Sequence, residues 1–183
     1  REWIDKVKLE GGIRNIDKIP VDIDKGDNSD EKTLDILRNL ILELNALDVE
    51  SHSFQIYFSG SGYHLMLSGE LFNFTEGPDL PYTLKQTMNK LLTGIDISIY
   101  IRTGIYRVQH TINKKTGLYK IPLTYNELFT LNPKDIFELA KTQRLDYNYH
   151  ELEANGELTN AIIHEVPDVK IFNKTSIFLN SLS

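Results

Sequence analysis

Asp22 and Asp24 stand one residue apart in the run Ile19-Pro20-Val21-Asp22-Ile23-Asp24. In a strand, alternate side chains share a face, so Val21 and Ile23 point inward and both aspartates outward together. Two carboxylates about 7 Å apart on one strand face can grip a pair of divalent cations. A third carboxylate and phosphate-binding groups would complete a two-metal phosphoryl-transfer site. Two later segments supply candidates for both. One is Ser59-Gly60-Ser61-Gly62-Tyr63-His64, and the other runs from Asp96 to Gly117.

The elements that must position these residues follow from periodicity and punctuation. A short strand over 19–24 is closed by Lys25-Gly26-Asp27-Asn28. Ser29 or Asp30 then suits an N-cap, with Glu31 and Asp35 at the positive end of a helix. Leu34, Leu37, Leu40, Ile41 and Leu44 give that helix a 3.6-residue apolar face ending near Ala46. Phe54, Ile56 and Phe58 alternate with Gln55 and Tyr57 as a half-buried strand, which runs into the glycine turn at 60–62. Leu65-Met66-Leu67 restarts a strand at once, placing His64 at a strand–turn–strand junction. Residues 70–81 read as a loop, and a helix is predicted over Thr83–Leu92.

From Asp96 the alternation predicts a strand with Ile97, Ile99 and Ile101 on one face and Asp96, Ser98, Tyr100 and Arg102 on the other. Thr103-Gly104 turns the chain, and Ile105 to Gln109 returns as a partner strand carrying Arg107. After the Lys114-Lys115-Thr116-Gly117 turn, a strand over Leu118–Leu123 and helices near 125–130 and 133–143 are predicted, the last opened by Asn132-Pro133. Residues 1–18 form a lead-in broken at Gly11-Gly12, and 145–183 are weakly patterned.

The 183 residues are enough for one domain with a substantial core, and nothing in them repeats. With no cysteine, the chain has neither disulfides nor a zinc site with thiolate ligands. No apolar run approaches a membrane span and no signal-peptide pattern is present. The net charge of −6 argues against a general nucleic-acid coat. Charge is nevertheless uneven. Between Ile97 and Asn126 there is no acidic residue, while Arg102, Arg107, Lys114, Lys115 and Lys120 fall there. A confined basic segment beside a few aspartates is what a nucleoside triphosphate requires.

The ordered set resembles the archaeo-eukaryotic primase superfamily, in particular its primase–polymerase catalytic domains from phages, plasmids and eukaryotes. The match covers residues 20–123 or thereabouts. Asp22 and Asp24 correspond to the two acids that follow a hydrophobic strand. Gly62-Tyr63-His64 corresponds to the small-residue turn ending in histidine. Asp96-Ile-Ser-Ile-Tyr100-Ile-Arg102, then Arg107, then Asn113-Lys114-Lys115-Thr116-Gly117, corresponds to the third motif with its lysine-rich turn. Gly62 stands where many members carry serine, and Asn113 where relatives commonly have histidine or lysine.

The resemblance implies an α+β fold, a primase-like core with an RNA-recognition-motif-like antiparallel sheet flanked by helices and a second α/β layer. All of 1–183 would be a single catalytic domain, a fragment of a longer protein. It implies DNA-templated nucleotidyl transfer, as primer synthesis, DNA polymerisation or both. Asp22, Asp24 and Asp96 would be the catalytic residues and the ligands of two Mg²⁺ or Mn²⁺ ions. Ser61, Gly62, His64, Arg102, Arg107, Asn113 and Lys115 would bind the nucleotide, with backbone amides of the 61–63 turn assisting. Partners would be a single-stranded DNA template, a primer strand, NTPs or dNTPs, and a helicase domain or protein. The context would be cytoplasmic, in a prokaryote, phage or plasmid, with no membrane association.

Taken singly, each motif also has an ordinary explanation: a solvated strand edge, a hairpin with an exposed histidine, a surface turn. Tyr63 and Tyr100 suit stacking on a base or sugar, and Tyr100 equally suits sheet packing. Two other functions fit the same residues. One is a gap-filling repair polymerase that extends primers without starting them. The other is a non-catalytic nucleic-acid-binding module, against which three acids facing a phosphate would count.

Overall fold

The computed structural model describes residues 14–101 and 106–153. The lead-in with Gly11-Gly12, Arg102, the Thr103-Gly104 turn and the chain beyond residue 153 lie outside the described residues.

Strand β1 (Lys18–Ile23) buries Ile19, Val21 and Ile23 and leaves Asp22 partly open, as its alternation dictates. Helix α1 (Asp30–Ala46) begins at Ser29, whose hydroxyl accepts from the Lys32 amide at 3.1 Å. Its stripe of Leu34, Leu37, Leu40, Ile41 and Leu44 is buried against β1 and β3. Strands β2 (Phe54–Phe58) and β3 (Tyr63–Ser68) form a hairpin about the glycine turn. Helix α2 (Leu80–Leu91) starts earlier than its apolar spacing predicts, because Pro81 in the first turn gives up an amide no helical bond needs. Strand β4 (Ile121–Leu123) leads into α3 (Tyr125–Thr130) and α4 (Pro133–Leu139). Each of these two helices opens on a reciprocal capping box, Thr124 with Glu127 and Asn132 with Asp135.

The strands form one antiparallel-paired sheet of order β1-β3-β2-β4. Because β3 lies between them, β1 and β2 run parallel with α1 as their connection, a split β-α-β unit. The fold is thus α+β, a four-stranded sheet with helices. Among the described residues a second α/β layer is not formed, and no helix is long and apolar enough to cross a membrane.

The segment from Asp96 departs from its predicted form. Ile97–Ile99 is one 3-10 turn, not a strand. The Asp96 carboxylate accepts from the Ser98 amide at 2.7 Å and the Ser98 hydroxyl at 2.8 Å, a local closure that competes with extended backbone. Tyr100 is buried, in line with its packing alternative, and its hydroxyl donates to the Pro20 carbonyl at 2.8 Å. Ile101, which the alternation groups with Ile97 and Ile99, is exposed. Tyr106, Arg107 and Val108 form no ladder, so the expected return strand is absent over the described part of 105–109. Only residues 121–123 of the 118–123 segment join the sheet; Tyr119 makes a single bridge to Ile112. The helix expected to reach 143 ends at Leu139.

Candidate active site

Asp22 lies on the sheet face opposite α1, and Asp24 follows one residue beyond the end of β1. Asp96 reaches them through the backbone, its amide donating to the Asp22 carbonyl at 2.8 Å. Each of the three offers a carboxylate oxygen within 4.8 Å of the others. Ser98 fixes the Asp96 carboxylate through both oxygens, each of which keeps a second lone pair for a ligand. Burial first, then the charges of Asp24 and Asp96, raise the Asp22 carboxyl to about 6. Lys120 and Arg107 pull the other way without winning. Three crowded acids that nearby cations do not neutralise, all offering oxygen, suit a hard divalent ion. The group of Asp22, Asp24 and Asp96 can therefore hold a metal ion.

Along this face the register sets Asp22 opposite His64, His64 opposite Tyr57, and Tyr57 opposite Pro122. His64 is buried, with Nε2 3.5 Å from Asp22 Oδ1 and Nδ1 2.8 Å from Lys120 Nζ. Burial first, then Lys120 and Arg107, lower its pKa to about 3, so the ring is neutral. Lys120 is also buried and has its pKa lowered to about 8, by burial and then by Arg107. Its ammonium donates to the Arg107 carbonyl at 2.7 Å and lies 4.8 Å and 4.6 Å from the Tyr57 and Tyr106 ring centroids. The Tyr106 ring packs 4.3 Å from the imidazole, and its hydroxyl donates to the Val21 carbonyl.

The glycine turn closes the other side. Ser59 accepts the Gly62 amide on its hydroxyl and donates its own amide to the Gly62 carbonyl. A Cβ on Gly62 would collide with the Ile23 carbonyl, so glycine lets the turn lie directly on the strand end between the two aspartates. Gly60, at φ +93°, touches Asn113 on the opposite flank. Asn113 is buried; its amide group donates to Ser61 Oγ at 3.3 Å and its oxygen accepts the Lys115 amide at 3.0 Å. Arg107 donates to the Ser59 carbonyl at 2.7 Å.

The predicted residues therefore converge with different freedoms. Asp22, Asp24, Asp96, His64, Gly62 and Arg107 meet at one end of the sheet. Ser61 and Lys115 are exposed at its rim, whereas Asn113 has turned inward to join two turns. Arg102 lies outside the described residues. Tyr63 faces the core, its ring 5.5 Å from Phe58, and Tyr100 is sealed beneath β1, so neither presents a free face for stacking. Lys120, Tyr57 and Tyr106 are the site residues that sequence reasoning passed over. Strand parity held the signal for Lys120: with Ile121 and Leu123 inward, Lys120 and Pro122 fall on the face of Asp22. Set against known proteins, the chain matches no family model, no curated protein and no solved structure.

Proposed function

We propose that this chain is a metal-dependent nucleotidyltransferase that extends or initiates a nucleic-acid strand on a single-stranded DNA template. The observation that carries the reading is the convergence of Asp22, Asp24 and Asp96, from β1 and a separate loop, to within 4.8 Å beside a glycine turn and Arg107. Asp22, Asp24 and Asp96 would hold two Mg²⁺ or Mn²⁺ ions. When bound, such ions activate a 3′-hydroxyl for attack and neutralise a pyrophosphate leaving group.

The chain's own groups orient and screen. Ser98 holds the Asp96 carboxylate in place beside the other two acids. His64 turns Nε2 toward Asp22 at 3.5 Å, and there it would meet a phosphate bound beside the acid group. Arg107 and Lys115 supply positive charge for a triphosphate, and Ser61 with Gly62 lines the turn against which it would lie. A primase-like core and a partner helicase belong to the same proposal.

The test is incorporation of NTPs and dNTPs on single-stranded DNA, with and without primer, in Mg²⁺ or Mn²⁺. Wild type and Asp22→Ala/Asp24→Ala are run together. Products from wild type alone support the reading, and products without primer make the chain a primase. Products only with primer favour the gap-filling alternative. Incorporation by both proteins, or by neither, would overturn the assignment.

A further inference from the structure

Among the described residues, Lys120 is a buried cation of the site to which nucleotidyl transfer assigns no task. Its side chain is committed: one proton goes to His64 Nδ1, one to the Arg107 carbonyl, and the faces of Tyr57 and Tyr106 enclose the rest. An ammonium has no lone pair, so the ring nitrogen facing it must be the acceptor. In a neutral imidazole the proton then sits on Nε2. That nitrogen is the one turned to the acid group, 3.5 Å from Asp22 Oδ1. The Tyr106 ring, 4.3 Å away, holds the imidazole in its plane.

This arrangement decides what His64 can offer. Imidazole nitrogen is a ligand for Zn²⁺, Cu²⁺ and Ni²⁺, whereas carboxylate oxygens suit Mg²⁺ and Mn²⁺. With Nδ1 taken by Lys120 and Nε2 protonated, neither lone pair is available to a metal ion. We infer that Lys120 is a positioning residue that fixes the His64 tautomer and so keeps the Asp22–Asp24–Asp96 site an all-oxygen site, selective for hard cations over Zn²⁺. The selectivity rests on the reading of the three aspartates as a cation site; the tautomer does not.

A long-range ¹H–¹⁵N spectrum of the metal-free wild type reads the tautomer directly. The expected result is a bare Nδ1 and a protonated Nε2; a protonated Nδ1 would overturn the inference. In Lys120→Met, shown folded by circular dichroism, His64 should redistribute between tautomers. Zn²⁺ affinity, measured by chelator competition, should then rise about tenfold or more, because an Nε2 lone pair becomes available; outer-partner changes alter metal affinity on this scale. The His64 ¹⁵N signals should shift when Zn²⁺ is added to this variant and stay in place in wild type. Lys120→Arg keeps a donor and should preserve the wild-type tautomer. A folded Lys120→Met with unchanged tautomer and unchanged Zn²⁺ affinity would remove the role from Lys120. If that variant does not fold, the wild-type spectrum and the wild-type His64 response to Zn²⁺ decide. A wild type with the expected tautomer that binds neither Mn²⁺ nor Zn²⁺ would overturn the cation site and its selectivity, leaving the tautomer standing.

Discussion

The two faces of the sheet are built from alternate residues of the same strands. On one face Val21, Leu65, Ile56 and Leu123 lie side by side in register, packed under the helices. One residue along, on the other face, the row is Asp22, His64, Tyr57 and Pro122. On the first face every neighbour favours burial, at about 1.5–3 kcal/mol for each large aliphatic side chain. On the second, burial opposes the charged form of each titratable group, raising Asp22 and lowering His64 and Lys120. The apolar face supplies stability, and the polar face holds strained protonation states that only that stability can sustain.

The sharpest way to break this division is Asp22→Ala or Asp96→Ala. Incorporation should fall by about 10³-fold or more, a transition-state loss of about 4 kcal/mol, while circular dichroism shows the fold retained. Full activity in either variant would show that the acids belong to the scaffold. Leu65→Ala acts on the opposite face and should lower unfolding free energy by about 2–5 kcal/mol. Activity per folded molecule should be retained, as denaturant titration and kinetics together would reveal.

Asp22→Asn sharpens the comparison from within the polar face. The folded carboxyl sits at about 6 against an ordinary 3.8, so the folded state binds the extra proton between those values. Wild-type stability should therefore fall as pH rises from about 4 to about 6 and level off above. The amide carries no such loss. In metal-free buffer Asp22→Asn should melt higher at pH 7, by on the order of 2 kcal/mol, and the gap should close below about pH 4. Equal melting at pH 7 would show that the acid group is not strained. The smallest effect is expected of Arg107→Ala. Nucleotide KM should rise about three- to tenfold with kcat nearly unchanged, the pattern of lost ground-state charge pairing.

Much of this division is legible in the sequence, and what is not has a physical reason. Periodicity placed β1, α1 and β2, the apolar run Leu65-Met66-Leu67 placed β3, and Ser29 marked where α1 begins. The pairing of Asp22 with Asp24 followed from the same alternation. The Asp96 segment misled because Ile97, Ile99 and Ile101 alternate as a strand would, yet two bonds from Ser98 and a tertiary bond from Tyr100 decide its shape. Those partners are invisible to a periodicity argument. The resemblance assigned Asn113 to nucleotide; its burial, which depends on Gly60 approaching from another hairpin, could not be read from the sequence. Lys120 counted only as part of a charged stretch, since its partners His64 and Tyr57 come from strands far away in sequence.

The position of β1 at the sheet's margin has a consequence for how copies of this chain meet. A bare margin strand is a template on which a second molecule can lay its own backbone and begin an aggregate. Here Pro20 offers no amide to such a visitor, and the outward carbonyls of Pro20 and Asp22 already receive the Tyr100 hydroxyl and the Asp96 backbone amide. The strand that carries the first two aspartates is thereby withdrawn from intermolecular pairing by the same segment that delivers the third, so assembling the acid group and guarding against self-association are one structural act.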